Sequence, residues 1–299
     1  MLKKSAIKRI ITSSLALAIM LLLLIFPTNN NSYISEEIVY IDEITMPIYA
    51  LDPQNLVART SVIKTDKDEI LHIIDALIID SNTSNYLPPG FNSIIPKNTK
   101  LIDYDLKDGL LKLNFSKELL NISKENEEKL IEILTYSLCE IKEVNKIMIF
   151  VEGKILDKLP HSKKELPSSL DKNIGVNKVY DLDNIKNTSK TTIYYIGKYN
   201  DYLYYIPITK ISNNTSTKVE IIVEELKNTP IYETNLISYL NASYELKDYE
   251  ILENSITISF DNKLIANLSD DEINEEVKYT LALSLRDTYN IEDIIININ

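Results

Sequence analysis

The sequence predicts an α+β protein. Two tandem copies of a mixed-sheet domain each run β-β-α-β-β-α-β with two helices packed on one face, and one transmembrane helix precedes them. Three observations predict this. A basic N-terminus precedes one long apolar run. A strand, a helix and a second strand occur at 111–115 to 147–151 and again at 256–260 to 294–298. The elements upstream of each also correspond in kind and spacing.

Lys3, Lys4, Lys8 and Arg9 precede the apolar residues 10–26, and Pro27 ends the run. A helix needs about 20 mostly apolar residues to cross a bilayer. The positive flank stays in the cytoplasm, so everything after it is delivered outside. A cleaved secretory signal is the alternative. Two absences argue against it: no small-x-small cleavage site follows the run, and no cysteine follows to carry a lipid. Residues 1–26 are therefore read as cytoplasmic N-terminus and signal anchor, and the protein as single-pass in the cell membrane, with its C-terminal part extracytoplasmic. Residues 27–46 read as an acidic stalk.

The first domain is assigned to 47–156. Residues 56–63 read as a strand. A helix follows with Ile70, Ile73, Ile74, Leu77 and Ile78 on one face. Asp52-Pro53-Gln54-Asn55 is a turn before that strand, and Asp108-Gly109 is a hairpin turn. Leu111-Lys112-Leu113-Asn114-Phe115 alternates with period two, the mark of a half-buried strand. The next helix buries Leu130, Ile131, Leu134, Leu138 and Ile141 and leads into an apolar strand.

Residues 157–189 form a linker interrupted by Pro160, Pro167 and Gly175, of which 176–182 could lie against a domain. The second domain is assigned to 190–299. Its strand at 202–211 leads to a helix with Val219, Ile222, Val223 and Leu226, and Thr217 with Glu220 suggests a capping box. A hairpin through Leu252-Glu253-Asn254-Ser255 precedes the strand at 256–260. Its last helix starts at Ser269-Asp270-Asp271-Glu272 and buries Ile273, Val277 and Leu281.

Composition narrows the function. The net charge is −12, and the cations of the anchor make the exterior part more acidic still. Nucleic acid, which rewards clustered Lys and Arg, is excluded as a partner. Hydrophobic residues are 44% of the chain, enough for a packed core. One cysteine, Cys139, excludes an intramolecular disulfide and reads as a small core residue. His72, read as pointing off the apolar stripe, and His161, in the linker, occupy separate contexts, which argues against zinc. The five glycines are too far apart for a phosphate-cradling loop. Acidic pairs such as Glu127-Glu128 and Glu224-Glu225 read as helix starts or solvent faces. No catalytic residue, cofactor or metal is expected. Tyrosines crowd one hairpin, and Tyr199, Tyr202, Tyr204 and Tyr205 are the candidate partner-binding residues. Tyrosine is enriched at interfaces, but it also favours strands.

The first copy also resembles a known family. The matching text is Asn55-Leu56-Val57-Ala58-Arg59-Thr60, then Ile95-Pro96-Lys97-Asn98-Thr99-Lys100-Leu101, then Asp108-Gly109-Leu110-Leu111-Lys112-Leu113-Asn114-Phe115-Ser116. Tyr136-Ser137-Leu138, Val144-Asn145-Lys146-Ile147 and Glu152-Gly153-Lys154 complete it. This stretch resembles the GerM-type domain of sporulation and spore-germination proteins. Residues 190–299 match in element order, without the Pro-x-x-Thr segment. The resemblance implies a non-enzymatic, membrane-tethered protein that helps assemble or position envelope complexes. Its partners would be the cell membrane, other sporulation envelope proteins and peptidoglycan. The alternatives are a peptidoglycan-binding module and a cell-wall glycan hydrolase.

Overall fold

The structure, a computed structural model, describes residues 45–80, 87–184, 186–228, 236–240, 245–260 and 275–298. The first repeat contains β1 (Thr45–Leu51), β2 (Val57–Ile63), α1 (Glu69–Leu77), β3 (Leu101–Lys107), β4 (Leu110–Phe115), α2 (Glu127–Leu138) and β5 (Lys146–Val151). A two-residue β6 (Lys154–Ile155) and a short β7 (Val179–Asp181) lie between the repeats in sequence. The second repeat contains β8 (Ser189–Tyr199), β9 (Tyr202–Ser212), α3 (Lys218–Lys227), β10 (Leu246–Ile251), β11 (Ser255–Phe260), α4 (Glu275–Tyr289) and β12 (Asp293–Ile298). The α+β class and the order β-β-α-β-β-α-β thus appear twice.

Local chemistry explains the element ends. Asp52 Oδ1 accepts the backbone N–H groups of Gln54 and Leu56, so the β1–β2 turn closes on a side chain. Asp108 and Gly109 both have positive φ, 51° and 77°. This is the turn handedness that matches strand twist in a two-residue hairpin. Asp68 caps α1 by accepting from Ile70 and Leu71. Thr217 and Glu220 form the reciprocal capping box on α3.

The sheets differ from the expectation of one mixed sheet per copy with two helices on its face. The leading hairpins of both repeats join in one sheet, ordered β1-β2-β9-β7, with β8 also paired to β9. The join is the antiparallel pairing of Arg59 with Tyr205. The trailing strands form separate sheets, β3-β4-β5-β6 and β10-β11-β12. β4–β5 and β11–β12 are parallel in the same register, Leu111 opposite Ile147 and Ile256 opposite Ile294. The physical reason for the shared sheet is that β2 and β9 each have a further pairing edge, and each satisfies the other's backbone groups. Helix α2 packs on β1 and β2 and also on β5; α4 packs on β8 and β12. The helices therefore bury their apolar stripes against two sheets rather than one.

The linker is structured. Val176 is fully buried, and β7 pairs in parallel with β9. The stalk read as 27–46 ends inside the fold, since Thr45 and Met46 open β1 and Met46 is buried. The apolar run at 10–26, residues 27–44, the start at Ser269-Asp270-Asp271-Glu272 and Ile273 lie outside the described residues. Among the described residues, no helix is long and apolar enough to cross a membrane.

Candidate functional site: the junction between the repeats

The two repeats meet through a buried group of charges and tyrosines. Tyr49 on β1 and Tyr194 on β8 occupy equivalent places. Tyr49 N–H donates to Ser137 Oγ on α2 at 2.9 Å, and Tyr194 N–H donates to Ser284 Oγ on α4 at 2.8 Å. Their hydroxyls meet at 2.7 Å. Tyr194 donates to Asp287 Oδ2, so the single Tyr49 proton is directed to the Tyr194 oxygen and, at 3.3 Å, to Glu140 Oε1. Glu140, just past α2, and Asp287, in α4, are thus also counterparts.

Three cations close the group. Lys172 Nζ lies 2.5 Å from Glu140 Oε1 and 3.0 Å from Asp287 Oδ1. Arg286 reaches the same two carboxylates at 2.6 and 3.1 Å. Arg59 on β2 reaches Glu140 Oε2 at 3.3 Å. The acidic side chains are almost wholly buried, 4% exposed for Glu140 and 2% for Asp287. Burial alone would raise the Glu140 carboxyl. Lys172, Arg286 and Arg59 overcome that and hold it well below the usual carboxylate range. Burial pushes the Tyr49 and Tyr194 hydroxyls up, and the neighbouring carboxylates push them further, so both stay neutral. Each of the five charged side chains has an ion-pair partner within the group, with one positive charge in excess, which suits holding two halves together.

Further bonds cross the junction. Asn177 in the linker accepts from Val57 N–H at 3.0 Å and donates to the carbonyls of Val57 and Pro207. It therefore ties β2 to β9. Thr60 and Tyr202 share a hydroxyl bond of 2.8 Å, and Tyr204 donates to Asp52 at 3.1 Å.

These contacts place the candidate tyrosines. Tyr204 is 2% exposed, under the edge of the Phe91 ring at 4.9 Å. As a partner-contacting residue it is corrected to a core residue, because its ring fills the space over Gly197. Tyr202 is half-buried on the same side and also meets Phe91. Tyr205 points to the other face and packs against Tyr279 of α4. Burial pushes its hydroxyl up to about 12, aided by Glu276. Tyr199, at the hairpin tip, is 36% exposed and lies beside Gly90.

Other sequence candidates resolve differently. His72 does not point off the apolar stripe; it is buried, with Nε2 2.8 Å from the Ile63 carbonyl. Glu127 stands at a helix start, as read, since it opens α2, but it is not on a solvent face. It is 2% exposed and accepts the backbone N–H groups of His161 and Ser162, clamping the linker to α2. The Cys139 thiol is pushed up to about 12 by burial and stays neutral. Among the described residues no group of three or more His, Cys, Asp or Glu could hold a metal ion.

The buried charges were not anticipated, yet a signal exists. Ser137-Leu138-Cys139-Glu140 and Ser284-Leu285-Arg286-Asp287 share the pattern Ser-Leu-x-acid, and Ile48-Tyr49 recurs as Ile193-Tyr194. An acid kept at the same place in both copies, next to an apolar stripe, marks a shared buried role.

Comparison with known proteins finds the same tandem fold. A family profile described as "Germane: Sporulation and spore germination" matches residues 47–157. The chain is 23% identical over 259 residues to the spore germination protein GerM of Bacillus subtilis (strain 168), covering 84% of this chain and 70% of that one. The fold superposes on the tandem GerMN domains of the sporulation protein GerM from Bacillus subtilis with a TM-score of 0.77. That match has 21% sequence identity and covers 86% of this chain and 91% of that one.

Proposed function

We propose that the chain is a GerM-type tandem-domain protein, and that it is a membrane-anchored, extracytoplasmic interaction protein of sporulation or spore germination. In this reading it carries out no catalysis and helps assemble or position envelope complexes. The observation that carries the reading is the Germane match over 47–157. Two further features support it. The basic flank and apolar run of residues 3–26 suit a signal anchor. The filled junction fixes the two repeats against each other, so surfaces on both would meet partners at a set spacing.

The test is genetic and biochemical together. Deleting the gene in its native host lowers the yield of heat-resistant or germinating spores, and the full chain restores it. A chain lacking residues 10–26 fractionates away from the membrane and does not restore it. A deletion strain that sporulates and germinates like its parent overturns the role. Release of reducing ends from purified peptidoglycan by the full chain overturns the absence of catalysis.

A further inference from the structure

The two repeats differ at one edge. In the first repeat the outer edge of β5 is covered. The N–H and carbonyl of Ile147 both bond Leu170 at 2.8 Å, and the Ile149 carbonyl accepts from Leu156 at 2.9 Å. β6 continues this cover, Val151 opposite Lys154 and Phe150 opposite Ile155. The register of the trailing sheets makes Ile294 the counterpart of Ile147 and Ile296 that of Ile149. Their backbone groups point away from β11 in the same way. Among the described residues, no strand pairs with this outer edge of β12.

Exposed edges are normally protected by charge, proline or a covering segment. The opposite edges of the two trailing sheets obey this. β3 carries Asp103, Asp105 and Lys107, and β10 carries Lys247, Asp248 and Glu250. After Asp293, β12 reads Ile-Ile-Ile-Asn-Ile, and Ile295 is 49% exposed. Its solvent-side neighbours are acidic. Asp293 lies at the strand start, while Glu250 and Asp248 stand across Thr257 and Ser259 from Ile295 and Asn297.

We propose that the outer edge of β12 receives an extended segment of a partner protein, alternating aliphatic and Lys or Arg residues, which adds to the sheet as an antiparallel strand. Main-chain bonds to Ile294 and Ile296 would supply the pairing, and the acidic face would select the cations. The first repeat shows the chemistry of the cover, since Lys154-Ile155-Leu156 lies on the equivalent edge. The inference deepens the reading as an interaction protein and rests on it. Its test can fail while the sporulation phenotype stands, and the reverse also holds.

The probe is a fluorescein-labelled peptide Lys-Ile-Lys-Ile-Lys, which has the alternation the proposal requires, titrated by anisotropy against the full chain in detergent. The proposal expects saturable binding, and protection of the Ile294 and Ile296 amides from hydrogen exchange when peptide is added. Ile296→Pro removes one outward N–H without touching the ladder to β11, and Ile295→Lys opposes the cations. Each weakens binding by about tenfold or more. Ile102→Lys, on the far edge strand β3, leaves it unchanged. If Ile296→Pro lowers the melting temperature, the Ile295→Lys titration and the wild-type exchange measurement decide alone. No saturation by about 1 mM peptide, or equal binding by Ile295→Lys, overturns the proposal. So does concentration-dependent self-association through this edge without peptide binding, which would assign it to a second copy of the chain.

Discussion

Removing the charge of Glu140 tests the junction most directly. Glu140→Gln keeps the shape and one acceptor oxygen but leaves Arg59, Lys172 and Arg286 facing Asp287 alone. Lys172 and Arg286 retain that carboxylate at 3.0 and 3.1 Å. Arg59 has Glu140 as its only ion-pair partner among the described residues, and its Nε has no hydrogen-bond partner there. One half-buried cation is therefore stranded and the group's excess positive charge doubles. Breaking a buried pair from one side costs about 3–5 kcal/mol. For a unit of this size each kcal/mol moves the melting temperature by about 2–4 °C, so the expected drop is about 6–20 °C. Arg59→Met is the paired variant. It leaves two cations and two carboxylates, and its aliphatic replacement keeps the packing, so the loss is at most about 1–2 kcal/mol. Urea unfolding followed by tyrosine fluorescence, with thermal melts alongside, measures both. If Arg59→Met destabilises as much as Glu140→Gln, the charge balance argued for the junction is wrong.

The same carboxylate sets a pH dependence. Its folded pKa is depressed, so its stabilisation is present above the unfolded value of about 4.3 and is lost as pH falls through the depressed folded one. The urea midpoint of the wild type should fall more steeply below about pH 5 than that of Glu140→Gln; parallel curves would refute this. Gly197→Ala places a Cβ 2.4 Å from the Tyr204 ring. That ring is held by Asp52 and Phe91, so a loss of about 1–3 kcal/mol is expected, read by denaturation. Tyr204→Ala should cost about 3–5 kcal/mol as a core truncation, whereas Tyr199→Ala should change stability by less than about 1 kcal/mol. Equal melting temperatures for the two would remove the distinction between core and surface tyrosines.

Periodicity made the elements legible. Leu111, Leu113 and Phe115 alternate and are all fully buried, and Ile256, Ile258 and Phe260 repeat them. The capping box at Thr217 and the turn at Asp108-Gly109 follow from local chemistry, which acts over a few residues. Sheet assembly did not follow, because strand pairing across repeats is a long-range choice that leaves no mark on either strand. Arg59 opposite Tyr205 is a single pairing that no local pattern encodes. The buried charges were hidden for a related reason. Arg59, Lys172 and Arg286 look like solvated surface cations until distant segments bring carboxylates to them. His72 misled in the same way, since a polar residue beside an apolar stripe can be buried once a carbonyl such as that of Ile63 meets it.

The segment joining the repeats has a topological consequence. Glu127 grips its beginning, Lys172 enters the charged group, Asn177 ties two strands and β7 continues the central sheet. It is shared masonry, belonging to both repeats at once. Its exposed bend around Lys163–Glu165 is the place where a protease would cut. A chain severed there would still travel as one particle, its halves parting only when denaturant dissolves the contacts around Tyr49 and Tyr194. Covalent continuity and structural unity are separate properties in this fold, and the second does not depend on the first.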